Sequence, residues 1–283
     1  LKIQFTKMHG LGNDFIIIDN RAMEEIDFSS MAVNLCRRRF SIGADGILVI
    51  APSSIAGLKM EIFNPDGSQA DMCGNGIRCF ARHVFEEGIL PSPRQAVETL
   101  AGIIRPEIIE DPGSPGGLLV RVDMGPPGLD SGQIPVNLPG ISPVIDQVMD
   151  AAGEQFTFSA VSMGNPHCLI FVEEPTDRLV REIGPRVEAH PLFPRKTNVE
   201  FIRVEGRDRL NVRVWERGAG ETMACGTGAC ASVVAGRLKG LLDSRVTVHL
   251  PGGSLQVEWD GQGSVMMTGP AVEVFRGWVS LPA

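Results

Sequence analysis

Polar and apolar residues alternate along the first fifteen positions, and the run Ile16-Ile17-Ile18 that follows is wholly apolar. Alternation predicts a half-buried strand, and a short bounded apolar run predicts a strand covered on both faces. Residues 58–63 and 210–215 alternate in the same way. Two segments, residues 77–87 and 229–239, lose the alternation and carry helix-compatible Ala, Val, Phe, Leu, Arg and Glu. Gly88 and Gly240 follow them, where a helix C′ glycine belongs. Two further helices are expected, one over residues 30–39 with Ser29 as N-cap and one over residues 177–189.

The pattern is written twice. Gly12-Asn13 precedes one apolar run, and Gly164-Asn165 precedes another, Cys168 to Val172, 152 residues further on. Cys73-Gly74-Asn75-Gly76 matches Cys225-Gly226-Thr227-Gly228, and Gly88-Ile89-Leu90 matches Gly240-Leu241-Leu242, again 152 apart. Three landmarks in one register predict two copies of one α/β unit. Residues 125–143, rich in Gly and Pro, read as the linker. The resulting expectation is an N-terminal domain over residues 1–124 and a C-terminal domain over residues 125–271. A last strand, residues 272–283, is expected to return to the first domain.

Composition narrows the function classes. At 43% hydrophobic and 21% charged, with 33 glycines and 20 prolines, the 283-residue chain reads as strand-rich and globular. A formal charge of −8 argues against nucleic-acid binding. No apolar run is long enough to cross a membrane as a helix, and the first residues read as a strand rather than an export signal. A cytoplasmic location and free thiols at all six cysteines are therefore expected. No cysteine pair has C-x-x-C spacing and the five histidines are not paired, so no metal site is expected.

Each copy places a cysteine directly before a G-x-G that opens a helix. A helix N-terminus carries partial positive charge and unpaired N–H groups, which lowers a thiol pKa and favours an anion. Gly74, Gly76, Gly226 and Gly228 let backbone N–H groups approach such an anion, for example a substrate carboxylate. Pseudo-twofold symmetry predicts both helix ends at the seam between the domains. Two thiols, Cys73 and Cys225, would then serve a proton transfer that inverts one stereocentre, one as base and the other as acid. Against this stands the plain reading of a cysteine before a tight turn as a small buried residue. Cys36, Cys79, Cys168 and Cys230 lack the G-x-G context and are assigned to the core. The register also pairs Asn13 with Asn165, Asn64 with Glu216 and Gly46 with Asn198. An asparagine beside Gly or Pro is commonly a turn former, whereas amides at matched places in a repeat suit a shared cleft. Arg217 is suited to clamp a carboxylate while Glu216 takes an ammonium, or the two form a surface pair. His167 either tunes a thiol or is a structural histidine.

These segments together resemble the diaminopimelate epimerase family. The carriers are Met8 to Phe15, Phe63 to Ser68, Met72 to Cys79, Ser162 to His167 and Glu216 to Thr222, leading into Ala224 to Gly228. The resemblance runs over essentially the whole chain. It implies an α/β (α+β) fold of two pseudo-symmetric domains, each a curved, mostly antiparallel sheet around a central helix, with the active site at the interdomain cleft. It implies an isomerase that interconverts LL- and meso-2,6-diaminopimelate without a cofactor, in lysine and peptidoglycan-precursor synthesis, as a homodimer. Carried over by motif, Cys73 and Cys225 are acid and base. Asn13, Asn64, Asn165, Asn198, Glu216 and Arg217 contact substrate, and Gly74, Asn75, Gly226 and Thr227 supply helix-end contacts. His167 and Glu216 influence the cysteines. The chain departs from some members at Gly46, where they carry a substrate-contacting Gln, and it has no tyrosine. Rival readings are a proline-type racemase, a phenazine-pathway isomerase, a thiol–disulfide oxidoreductase and an anion-binding protein without chemistry.

Overall fold

The alternating N-terminal residues form strand Lys2–Gly10, which turns through Leu11 and Gly12 into strand Asn13–Asp19. Both turn residues have positive φ (56° and 84°), the conformation a two-residue hairpin demands. The computed structural model describes residues 2–22 and 25–280, and the chain divides into two units. The first comprises Leu1–Val122 with Gly269–Ala283, and the second Asp123–Thr268.

In the first unit the sheet order is Val272–Ser280, Lys2–Gly10, Asn13–Asp19, Gly46–Ala51, Leu58–Phe63, Val97–Thr99 and Gly102–Ile104. The second unit repeats it with Gln147–Ala151, Glu154–Ser162, Pro166–Phe171, Asn198–Gly206, Arg209–Glu216, Arg245–Leu250 and Gly253–Glu258. The sense of each pairing repeats as well. Asn13–Asp19 runs parallel to Gly46–Ala51, as Pro166–Phe171 does to Asn198–Gly206. Beyond these strands an antiparallel and then a parallel pairing follow in both units, and the first two pairings of each are antiparallel, so each sheet is mixed and mostly antiparallel. The edge position differs in origin. Gln147–Ala151 directly precedes its partner in the chain, whereas Val272–Ser280 comes from the far end to pair with Lys2–Gly10. Residues 281–283 of the expected last strand lie outside the described residues.

Among the described residues four α-helices accompany the sheets: α1 (Phe28–Leu35), α2 (Gly74–Glu86), α3 (Gly184–Glu188) and α4 (Gly226–Leu238). The expected Ser29 cap of α1 gives way to Asp27, whose carboxylate accepts from Ser30 N–H at 3.0 Å. Ser29 lies inside the helix and its hydroxyl donates to Gly67 O. The helical stretch expected over residues 177–189 contains a π-helical turn, Leu179–Ile183, before α3. Helices α2 and α4 are the central elements of their units. Ile77, Phe80, Ala81 and Val84 of α2, and Ala229, Val233, Val234 and Ala235 of α4, are fully buried. Each such large aliphatic or aromatic side chain contributes about 1.5–3 kcal/mol of burial free energy. Both helices end at a left-handed glycine, Gly88 (φ 66°) and Gly240 (φ 72°). At α4, Gly240 N–H returns to Arg237 O and Leu241 N–H to Gly236 O, closing the end.

Residues 125–143 are not a linker. They belong to the second unit, where Ile134 and Val136 join the core with Val144, and Gly128 bridges to Ser162. Their glycines and prolines shape turns over a packed surface instead of spacing two domains. None of the helices among the described residues is long and apolar enough to cross a membrane.

Within α2, Arg78 is completely buried. Its guanidinium donates to Pro270 O (3.2 Å), Gly74 O (3.0 Å) and Asn75 Oδ1 (2.9 Å). Arg82, one turn on, donates to Ala271 O. These two side chains tie the returning chain end to the first unit's central helix. Arg78→Leu is expected to lower the free energy of unfolding by about 3 kcal/mol, because it strips donors from buried acceptors. Urea denaturation checks this, and a change below about 0.5 kcal/mol would show that the guanidinium is not an anchor.

Candidate active site

In the first unit Cys73 is the N-cap of α2, with extended backbone (φ −141°, ψ 119°), and its Sγ accepts from Gly76 N–H at 3.4 Å. Sulfur thus takes the place an oxygen usually fills at a helix start. The Leu11-Gly12 turn brings Asn13 to the same spot. The Cys73 thiol lies 3.8 Å from Asn13 Oδ1, which also accepts from Asn75 Nδ2 at 3.1 Å. Asn13 Nδ2 donates to Asp45 Oδ2 at 2.8 Å. Asp45 is bridged by Arg38 to Asp14, and Asp14 pairs with buried Lys7 at 2.7 Å. Burial works to raise the Asp14 carboxyl, but Arg38 and Lys7 together hold it below the usual carboxylate range. The Asn13 amide is therefore braced from behind by an ionic cluster.

Asn64 is half-buried and shows the turn role alongside the candidate one. Its Nδ2 donates to Ser68 Oγ at 3.0 Å, and Gly67 (φ 83°) closes the turn onto Asn64 O. At Gly46, a Cβ would lie 2.9 Å from Phe63 O, so this backbone has no room for the Gln that some relatives carry there.

In the second unit Cys225 caps α4 in the same way (φ −116°, ψ 113°), accepting from Gly228 N–H at 3.3 Å. Thr227 Oγ1 lies 3.4 Å from the sulfur, and Asn165 Nδ2 donates to that hydroxyl at 3.3 Å. Asn165 Oδ1 faces His167 Nε2 at 2.9 Å, and His167 Nδ1 faces Glu200 Oε1 at 2.7 Å. Asn198 is buried between Pro166 O, to which its amide donates, and Arg217 N–H, from which it accepts at 2.9 Å. The Arg217 side chain is exposed. Its guanidinium donates to Arg195 O, and among the described residues no carboxylate pairs with it. Glu216 accepts from the Thr222 hydroxyl, and its carboxylate is near enough for its charge to act on Cys225. Burial, with the Glu200 charge nearby, raises the Glu216 carboxyl above its usual range despite the Thr222 bond.

The helix-end expectation for thiol acidity is overturned at Cys225. Burial, then the charges of Glu216 and Glu200, push its thiol well above the usual range. The Thr227 hydroxyl and Gly228 N–H act the other way and are outweighed. Desolvation of a buried thiolate exceeds what a helix end and one hydroxyl return. The remaining cysteines are core residues: burial pushes Cys36 up to about 11 and Cys79 up to about 12.

Gly228 and Gly76 also have a reason the motif alone did not disclose. A Cβ at position 228 would lie 2.5 Å from Glu200 Oε1, and one at position 76 would lie 3.3 Å from Leu48 Cδ2. The second glycine of each C-G-x-G makes room for a strand side chain pressed under the helix start. Glu200 and Asp45 were missed by sequence reasoning. The available signal for Glu200 is a lone carboxylate inside the apolar run Val199 to Ile202.

Removing the Glu216 charge is expected to lower the Cys225 pKa. Glu216→Gln should therefore speed iodoacetamide modification of Cys225 at pH 8 by about three- to tenfold. Peptide mass spectrometry reads the rate, and an unchanged rate would mean the Glu216 charge does not reach the sulfur.

Comparison with known proteins places this geometry. The diaminopimelate epimerase family model matches residues 5–129 and 159–274. The chain is 56% identical to the diaminopimelate epimerase of Moorella thermoacetica over 278 residues, covering 97% of this chain and 98% of that protein. It is 51% identical to that of Desulfitobacterium hafniense, covering 97% of each. Among solved structures, a Bacillus anthracis phenazine biosynthesis protein of the PhzF family matches with a TM-score of 0.70 at 16% identity, over 99% of this chain and 100% of that one. A probable proline racemase from Agrobacterium radiobacter matches with a TM-score of 0.70 at 16% identity, over 99% of this chain and 93% of that one. These two likenesses concern the fold alone. With sulfur-capped central helices in both halves of a duplicated fold, and close relatives over nearly its whole length, the chain belongs to the diaminopimelate epimerase family.

Proposed function

We propose that this protein interconverts LL- and meso-2,6-diaminopimelate, with Cys73 and Cys225 as the acid–base pair. The observation that carries the reading is the repeated cap: each unit starts its central helix on a cysteine sulfur at the same register position. One thiolate takes the α-proton, and the C–H electron pair moves into the carboxylate to give an enediolate-like state. The other thiol delivers its proton to the opposite face. Sulfur–proton exchange with solvent then restores the starting forms. The helix-start N–H groups supply the electrostatic share, meeting the charge that builds on the carboxylate.

The remaining assignments belong to the same proposal. Gly74, Asn75, Gly226 and Thr227 hold the reacting carboxylate at the helix starts. Asn13, Asn64, Asn165, Asn198, Glu216 and Arg217 contact the substrate, and the exposed Arg217 guanidinium suits the distal carboxylate. Glu216, next to the Cys225 thiol, is placed to take up or return its proton, and His167 acts through Asn165. We place the enzyme in the cytoplasm as a homodimer, in lysine and peptidoglycan-precursor synthesis, working on a small molecule apart from nucleic acid and membrane.

The purified protein should convert LL- to meso-diaminopimelate without added pyridoxal phosphate. Cys73→Ala and Cys225→Ala should each reduce kcat by at least about 10³-fold while circular dichroism stays native. Full activity in either variant would remove the two-cysteine reading. Arg217→Leu should raise KM about 30-fold or more with a smaller effect on kcat, as expected for a contact remote from the reacting carbon. An unchanged KM for diaminopimelate would favour a substrate with a single amino-acid end.

A further inference from the structure

The duplication supplies an internal control. His167 corresponds to Phe15, and Glu200 to Leu48, at the common spacing of 152 residues. The strand registers agree: Phe15 lies opposite Gly46, and His167 opposite Asn198. All four side chains are buried, His167 and Glu200 with no exposed surface at all. Leu48 presses under Gly76 as Glu200 presses under Gly228. One slot is thus filled by hydrocarbon in the first unit and by an imidazole–carboxylate pair in the second. The fold itself does not need the charged version, because the first unit closes the same slot with Phe and Leu. A buried polar pair of this kind is weak ground for stability, so its presence asks for another reason.

The charged version leads to the reactive sulfur. Glu200 Oε1 holds His167 Nδ1 at 2.7 Å, and His167 Nε2 meets Asn165 Oδ1 at 2.9 Å. That leaves the Asn165 amide to donate to Thr227 Oγ1 at 3.3 Å. A hydroxyl that accepts there has its own proton to direct at Cys225 Sγ, 3.4 Å away. Each contact fixes the orientation of the next group, and Glu200 is where the series starts. The other Glu200 oxygen, Oε2, has no hydrogen-bond partner among the described residues.

We infer that Glu200 is a positioning residue for Cys225: through His167, Asn165 and Thr227 it aims a hydroxyl proton at the sulfur, a device absent from the first unit. The charged and titratable groups facing Cys225 within its unit are Glu216 and Glu200, with His167 behind Asn165 and the buried Cys168 thiol beside Glu200. The kinetic part of the inference rests on the epimerase reading, while the reactivity of Cys225 does not.

Three variants test it: Glu200→Gln, which keeps an acceptor for His167; Glu200→Leu, which removes it; and His167→Phe with Glu200→Leu, which writes the first unit's pair into the second. The double variant should fold, with a melting temperature within about 5 °C of the parent. Its kcat should fall at least about 30-fold while KM moves less than about threefold, the signature of a misdirected group rather than lost binding. Glu200→Gln should keep at least about ten times the kcat of Glu200→Leu. In a Cys73→Ala background, the pH midpoint for iodoacetamide modification of Cys225 should lie about half a unit or more higher in Glu200→Leu than in Glu200→Gln, since both lack the charge and only Gln keeps the hydroxyl aimed at the sulfur. A double variant with kcat within about threefold of the parent, together with equal midpoints in Glu200→Gln and Glu200→Leu, would make the pair simple packing. A double variant that fails to fold would equally overturn the inference, because the two slots would not be equivalent. Lack of parent activity on diaminopimelate would sink the epimerase reading alone, and the alkylation midpoint would still decide the role of Glu200.

Discussion

A sulfur accepting the first turn of a helix is the interaction on which this protein is built, once in each unit. It requires extended backbone at Cys73 and Cys225, and an N–H three residues on that points back at the sulfur. It requires a small residue where that N–H sits, because a strand side chain presses up beneath it. The same helix start brings backbone N–H groups close to the sulfur, a local setting suited to an anion. The rest of each unit holds that end in place. Its sheet buries the helix, a left-handed glycine ends it, and a hairpin returns an asparagine to its first turn.

Duplication has been followed by divergence. The first unit braces Asn13 with an exposed-edge ionic cluster of Asp45, Arg38, Asp14 and Lys7. The second unit braces Asn165 with the wholly buried His167–Glu200 pair. Asn64 in one turn is matched by Glu216 in the other, and only Glu216 brings a carboxylate to its cysteine. A racemising site for identical groups gains nothing from such asymmetry. A substrate whose two enantiomeric approaches are not mirror images, because a second stereocentre stays fixed, is the case in which unequal halves are useful.

Much of this architecture is legible in the sequence, because a duplicated pattern is checked against itself. The spacing of 152 residues located both cysteine caps and both central helices, and the strands on either side recur in matched register. What was not legible is what depends on three-dimensional neighbours. Asp27 displaced Ser29 as a cap, since either residue suits the role and only the path of the chain selects one. Residues 125–143 looked like a linker because glycine and proline signal turns without saying whether the turns lie on a core. Cys225 became less acidic than a helix end suggests, since burial and two carboxylates are invisible in a local motif. Glu200 and Asp45 were overlooked although they lie beside Asn198 and Gly46 in the sequence, because their contacts with His167 and Asn13 exist only in space.

The central claim is that the two helix-capping sulfurs move one proton off and another on. It is tested most directly by running LL-diaminopimelate in deuterated water to a few per cent conversion and weighing both pools. The account predicts one solvent deuterium at the inverted α-carbon of the meso product and none in the recovered LL substrate. Equal deuterium in the two pools, or inverted product that keeps its original proton, would mean that a single base serves both faces and would contradict it.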